Sequence, residues 1–222
     1  MSARATLLPF YALCDVSASM VEGQRIDALN EAIGATCDAA AMHPVVADRV
    51  RLGILTVSGD AEVALPLCDL GLLDEVPVLA TRGLTNFGAG FDLLRATIES
   101  DVAQLVGDGY RVFRPAVFFL TDGRPTDASD EWRDALARVV DSDFPHHPNI
   151  VAFGFGDVEP AILKDIGTLA AYSAADSVTA AAAIASFGTM LVESVVASGT
   201  AGRLQMPAIV PEGLIDLDEE LL

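Results

Sequence analysis

The sequence predicts an α/β fold: a doubly wound, mostly parallel sheet of six strands with one antiparallel edge strand and helices on both faces. Three observations carry this. Apolar runs of strand length alternate with stretches of 3.6-residue hydrophobic spacing along most of the chain. Two of the runs are joined by the short turn Ser58-Gly59-Asp60, which favours a hairpin and so sets one antiparallel strand at an edge. With 222 residues, 52% of them hydrophobic, the chain suits one sizeable domain, with or without a tail, and disorder throughout is excluded.

Taken in order, strands are expected near 7–14, 50–57, 61–66, 115–121, 149–155 and 168–172. Helices are expected near 24–42, 90–106, 129–140, 159–166 and 178–197. In the first helix Ile26, Leu29, Ile33 and Cys37 recur every three or four residues, so one stripe packs on the sheet while Asp27, Asn30, Glu31 and Asp38 stay wet. Gly107-Asp108-Gly109 reads as a helix stop, and Gly154-Phe155-Gly156-Asp157 as a turn, since it lacks the third glycine of a dinucleotide loop. Trp132, the only tryptophan, falls in a helix and reads as core. The uncharged stretch Ser177 to Val192 is shorter than the ~20 apolar residues of a membrane span and reads as a packed helix. From Thr200 the pattern dissolves, which divides the chain into a domain over 1–199 and an acidic C-terminal tail over 200–222.

The chemistry gathers where strands end. Asp15-Val16-Ser17-Ala18-Ser19 follows the apolar run Leu7 to Cys14 and sets three oxygen ligands at alternate positions, which share a face in an extended segment. Asp122 follows the run Pro115 to Leu120 in Phe119-Leu120-Thr121-Asp122-Gly123, and Thr85 lies between them in Gly-Leu-Thr-Asn-Phe-Gly. Two carboxylates and three hydroxyls from three loops form an all-oxygen set suited to Mg2+, Mn2+ or Ca2+. Any one of these residues alone could be a turn or helix cap. Five in the correct order relative to the strands favour a metal site.

This D-x-S-x-S, Thr, strand-terminal Asp pattern resembles the metal-ion-dependent adhesion site (MIDAS) of von Willebrand factor A (VWA) domains. More narrowly, Leu8-Pro9-Phe10-Tyr11, Met20 after the motif, Ile26-Asp27-Ala28-Leu29-Asn30 and Thr121-Asp122-Gly123-Arg124-Pro125-Thr126-Asp127 resemble stand-alone bacterial proteins of the TerY type, associated with tellurium resistance and related stress operons. The resemblance covers roughly residues 5 to 197. Leu84 departs from it, standing where relatives usually carry a second Gly before the Thr. The resemblance implies a Rossmann-like VWA fold and a cation held by Asp15, Ser17, Ser19, Thr85 and Asp122, with the two Asp acting partly through water. A position is then left open for an Asp or Glu carboxylate of a partner protein. It also implies work in a bacterial stress or signalling system, alongside a kinase and phosphatase pair.

Thirteen basic against 32 acidic residues give a net charge of -19, so phosphate backbones are repelled and nucleic acid is not an expected partner. Nor is a membrane. The first apolar run is strand-like and leads straight into the motif, unlike a secretory signal, and a cytoplasmic location is expected. Cys14, Cys37 and Cys68 are far apart and read as buried thiols. His43, His146 and His147 sit beside prolines in expected loops, away from the motif. With no general base or nucleophile beside the site, a binding module is expected rather than an enzyme, the alternative being a metal-dependent hydrolase or phosphatase using the same cation. Thr126 and Asp127 are expected to cap the helix that starts beside them or to shape the site rim. The tail residues Asp218, Glu219 and Glu220 carry the ligand type the site wants, which makes self-occupation a further expectation to weigh against a solvated end.

Overall fold

The computed structural model describes residues 5–218. Its order is β1 (Thr6–Asp15), α1 (Arg25–Met42), α2 (Pro44–Arg49), β2 (Val50–Val57), β3 (Ala61–Cys68), α3 (Phe87–Gly107), β4 (Arg111–Val112), β5 (Ala116–Thr121), α4 (Ser129–Val140), β6 (Asn149–Gly154), α5 (Pro160–Ile166), β7 (Ala170–Ala174), α6 (Ala180–Ala201) and β8 (Leu214–Asp216). The strands form one sheet in the order β3-β2-β1-β5-β6-β7-β8, with β4 beside β1. Pairing is parallel from β2 through β7, and β3 runs antiparallel at its edge as the hairpin turn requires.

Strands buried on both faces read as continuous apolar runs, and the pleat then sorts alternate residues to opposite sides. In β1, Phe10, Ala12 and Cys14 face one core with Leu29 and Ile33 of α1 and Ile184, Phe187 and Leu191 of α6. Tyr11 and Leu13 face the other, with Phe87, Phe91 and Leu94 of α3, Trp132 of α4 and Leu163 of α5. Aromatic rings fill both: Phe118 stacks between Phe10 and Phe153 at 5.7 and 6.1 Å, and Trp132 meets Phe87 edge-on at 6.1 Å. By length and composition α6 is apolar enough to cross a membrane, with mean hydropathy 1.7 in its most apolar window. Its Ile184, Phe187, Met190, Leu191 and Val195 are instead spent on the core.

Two differences from the sequence reading have physical causes. Asn30 is not a wet residue of α1: its Nδ2 donates to Leu79 O at 3.0 Å and its Oδ1 accepts from Leu79 N at 2.8 Å, clamping the loop before α3. The segment after Thr200 does not leave the fold as a tail. α6 stops at Gly202 (φ 70), and the chain returns to add β8 antiparallel to β7, because Leu214 packs on the core and β7 otherwise exposes an unpaired edge. Asp218 caps that edge by accepting from Ala171 N at 3.1 Å, so it serves β7 rather than a metal. Glu219 and Glu220 lie outside the described residues.

Candidate metal centre

β1 and β5 are parallel neighbours in register, Cys14 opposite Leu120, so Asp15 and the Thr121-Asp122 pair leave the sheet side by side at its carboxyl end. That end is where open α/β sheets bind ligands. Beyond Asp15 the chain bends into a short 3-10 turn, Ala18–Gln24, anchored by the fully buried Met20. Val16 N still bonds Val57 O at 2.9 Å, which holds the exit of β1 against β2.

Four of the five sequence-predicted ligands form a direct chain of contacts. Ser17 Oγ lies 3.0 Å from Ser19 Oγ, and Ser19 Oγ donates to Asp122 Oδ1 at 2.7 Å. Asp15 Oδ1 accepts from Ser17 N at 2.8 Å and its Oδ2 from Thr121 Oγ1 at 2.7 Å. Asp15 and Asp122 are 0% and 2% exposed. Thr85 joins through the backbone: Ala18 N donates to Gly83 O at 3.1 Å and Arg82 N to Val16 O at 2.6 Å, which lays its loop beside the β1 exit. Gly83 takes the left-handed turn (φ 45), so Leu84 adopts an ordinary φ and needs no glycine.

Thr126 and Asp127 lock that loop to the Asp122 loop. Thr126 N and Oγ1 both donate to Thr85 O, at 2.7 and 2.9 Å. Asp127 does cap a helix, but not the adjacent α4: Oδ1 and Oδ2 accept from Phe87 N (3.1 Å) and Gly88 N (2.8 Å) at the start of α3. The backbone donors there converge on one carboxylate, which suits the positive end of the helix. Nothing in local spacing reveals this, since Asp127 lies 40 residues from Phe87.

Sequence reasoning missed three other contributors. The turn Phe155-Gly156-Asp157 forms a wall of the site, with Phe155 N bonding Thr121 O and Asp157 N bonding Asp122 O, both at 3.2 Å. Thr121, in sequence only the end of an apolar run, holds Asp15 through its hydroxyl. Arg25, the first residue of α1, donates from Nη1 to Asp122 Oδ2 at 2.7 Å and to Ser19 O at 3.1 Å. The three histidines are remote: His43 precedes α2 and β2, and His146 and His147 precede β6, which puts them at the amino end of the parallel strands.

Burial raises the Asp15 carboxyl above the usual carboxylate range. Hydrogen bonds from Ser17 and Thr121 counter this, and the Asp122 charge adds to it. Burial, helped by the Asp15 charge, pushes the Cys14 thiol to about 12, so this cysteine is an inert core residue. Among the described residues no three His, Cys, Asp or Glu side chains form a metal-holding group. A cation here relies on hydroxyls. The donor set is hard oxygen throughout, the type that Mg2+, Mn2+ and Ca2+ take, and the 3.0 Å and 2.7 Å separations along Ser17, Ser19 and Asp122 are hydrogen bonds that a cation would replace with its own contacts.

The model of the von Willebrand factor type A domain family matches residues 10–124. No curated protein matches the chain in sequence. Among solved structures, a von Willebrand factor type A protein from Catenulispora acidiphila aligns at 17% identity with a TM-score of 0.61, over 86% of this chain and 43% of its own. Proximal thread matrix protein 1 of the mussel byssus, in a structure with a zinc-occupied MIDAS motif, aligns at 15% identity and TM-score 0.59, over 87% and 48%. The pilus adhesin SpaC of Lactobacillus rhamnosus GG aligns at 14% identity and TM-score 0.63, over 88% and 30%. The chain thus spans less than half the length of each of these three.

Proposed function

This chain belongs to the von Willebrand factor type A domain family, and from that membership and the geometry of its rim we propose that it is a non-enzymatic, metal-dependent protein-binding module. Ser17, Ser19 and Thr85 offer hydroxyls to a divalent cation. Asp15 and Asp122 are held by the protein through both carboxylate oxygens, which suits a role partly through water. The cation, Mg2+ with Mn2+ or Ca2+ as alternatives, supplies a Lewis acid with a position for an Asp or Glu carboxylate of the partner. The observation that carries this reading is the meeting of two buried carboxylates, Asp15 and Asp122, with the Ser17 and Ser19 hydroxyls at the carboxyl ends of adjacent parallel strands. Exposed Val21 and Leu84, one or two residues from Ser19 and Thr85, supply apolar surface for the partner to cover.

The finer reading is a TerY-type role in a bacterial tellurium-resistance or related stress system, in the cytoplasm, with a kinase and phosphatase as candidate partners. Support for it is the run of motifs at residues 8–11, 26–30 and 121–127. The hydrolase alternative gains nothing from the histidines, which sit at the opposite end of the sheet. Calorimetry with Mg2+ and Mn2+ on the intact protein and on the double variant Asp15→Ala, Ser17→Ala tests the site. A pull-down from host lysate with and without EDTA tests the partner. Binding lost in the variant and a partner released by EDTA support the module; no cation uptake by the intact protein overturns it.

A further inference from the structure

Arg25 is placed with unusual care for a residue at a helix start. The two residues before it, Gly23 (φ 58) and Gln24 (φ 60), both take the left-handed conformation, and Gln24 is the one non-glycine to do so among the described residues. For a side chain this backbone is a cost. The kink turns the first residue of α1 inward, so that the guanidinium, 17% exposed, meets the fully buried Asp122 carboxylate. Its planar fork lies 5.9 Å from the Phe155 ring centroid, and its Nε is buried without a hydrogen-bond partner among the described residues. An arginine held this way keeps its charge, since the guanidinium does not deprotonate in proteins.

We propose that Arg25 sets the charge of the metal centre, weakening its hold on a bare dication and making that hold depend on an arriving carboxylate. The inference rests on the metal-site reading above and names the regulation of that same site. The charge count is simple. Among the buried side chains Asp15 and Asp122 contribute two negative charges and Arg25 one positive, while Glu22, 3.8 Å from Arg25 Nη2, is 76% exposed and screened by solvent. A dication therefore leaves the buried centre at +1, where without Arg25 it would be neutral. Arg25 binds Asp122 through Oδ2 only, while Oδ1 faces Ser19. It therefore lowers the carboxylate's charge without blocking the oxygen on the ligand side. A buried surplus of +1 repels the cation and attracts an anion, and both effects are strong where water is excluded. Cation and partner carboxylate then bind with positive coupling: each raises the other's affinity by the same factor.

The test is Mn2+ calorimetry on the wild type, Arg25→Gln and Arg25→Lys, in chloride and in acetate at matched ionic strength, with thermal melts in EDTA to establish that each variant folds. Arg25→Gln is expected to bind Mn2+ about tenfold tighter or more in chloride and to gain less from acetate than the wild type. Arg25→Lys keeps the charge and is expected to stay near the wild type. Binding of Mn2+ by Arg25→Gln in both salts, with the wild type taking it up only in acetate, would support the inference in its strongest form. Equal or weaker binding by Arg25→Gln, or equal tightening in Arg25→Lys, overturns it while the metal site stands. If neither the wild type nor Arg25→Gln takes up Mn2+, the metal-site reading falls and this inference with it.

Discussion

The body of β1 and its exit are one residue apart and obey different rules. From Leu7 to Cys14 every side chain is buried and apolar apart from the Tyr11 hydroxyl, and packing alone accounts for the order. From Asp15 to Ser19 the burial persists at Asp15 and Ser17, yet the side chains are carboxylate and hydroxyl, each fitted with a specific hydrogen-bond partner. The body is built for stability. The exit carries a cost that folding does not need, because a buried carboxylate beside a second one is disfavoured without a compensating cation. Arg25 supplies part of that compensation and leaves the rest unmet.

The comparison is sharpest where the two kinds of residue are replaced in turn. Phe118→Ala removes a ring stacked on two others in the β1 core and should cost about 3–5 kcal/mol in denaturant unfolding. A loss under about 1 kcal/mol would mean the body is less tightly packed than these contacts imply. Asp127→Ala removes two backbone caps from α3 and should cost about 1–2 kcal/mol, and it should also weaken cation uptake by loosening the Thr85 loop. Unchanged uptake would separate the cap from the site.

Asp15→Asn is expected to go the other way. Its carboxyl is raised in the folded state, so the native protein holds that proton more tightly than the unfolded chain does. Between the unfolded and folded values stability then falls as pH rises, and above both the full burial cost is present. In EDTA at neutral pH, Asp15→Asn should be as stable as the wild type or more so, by up to about 1 kcal/mol. Its stability should decline less across the acidic range. Asp101, raised by burial despite the Tyr11 hydroxyl that it accepts, keeps part of the slope in both proteins. A variant clearly less stable than the wild type in EDTA would break the contrast between body and exit.

Most of the sheet was legible because parallel strands buried on both faces have to be apolar throughout, and the Ser58-Gly59-Asp60 turn marks its antiparallel edge. The proximity of Asp15, Ser17, Ser19 and Asp122 was legible for a related reason: polar side chains fall where the apolar runs of two central strands stop. The support around them was not. Arg25 reaches an aspartate 97 positions away and Asp127 a helix 40 positions back, and no periodicity encodes such pairs. The strand at Leu214–Asp216 was hidden by its length, three residues in an acidic segment whose pairing depends on the edge left by β7.

The central claim is that the oxygens at the exit of β1 hold a divalent cation. An anomalous difference map from a Mn2+-soaked crystal tests it directly. The account predicts a peak within about 2.5 Å of Ser17 Oγ and Ser19 Oγ, with Asp15 and Asp122 around it, and none in Ser17→Ala. A map with no peak there, the hydrogen bonds among Ser17, Ser19 and Asp122 intact, would contradict it.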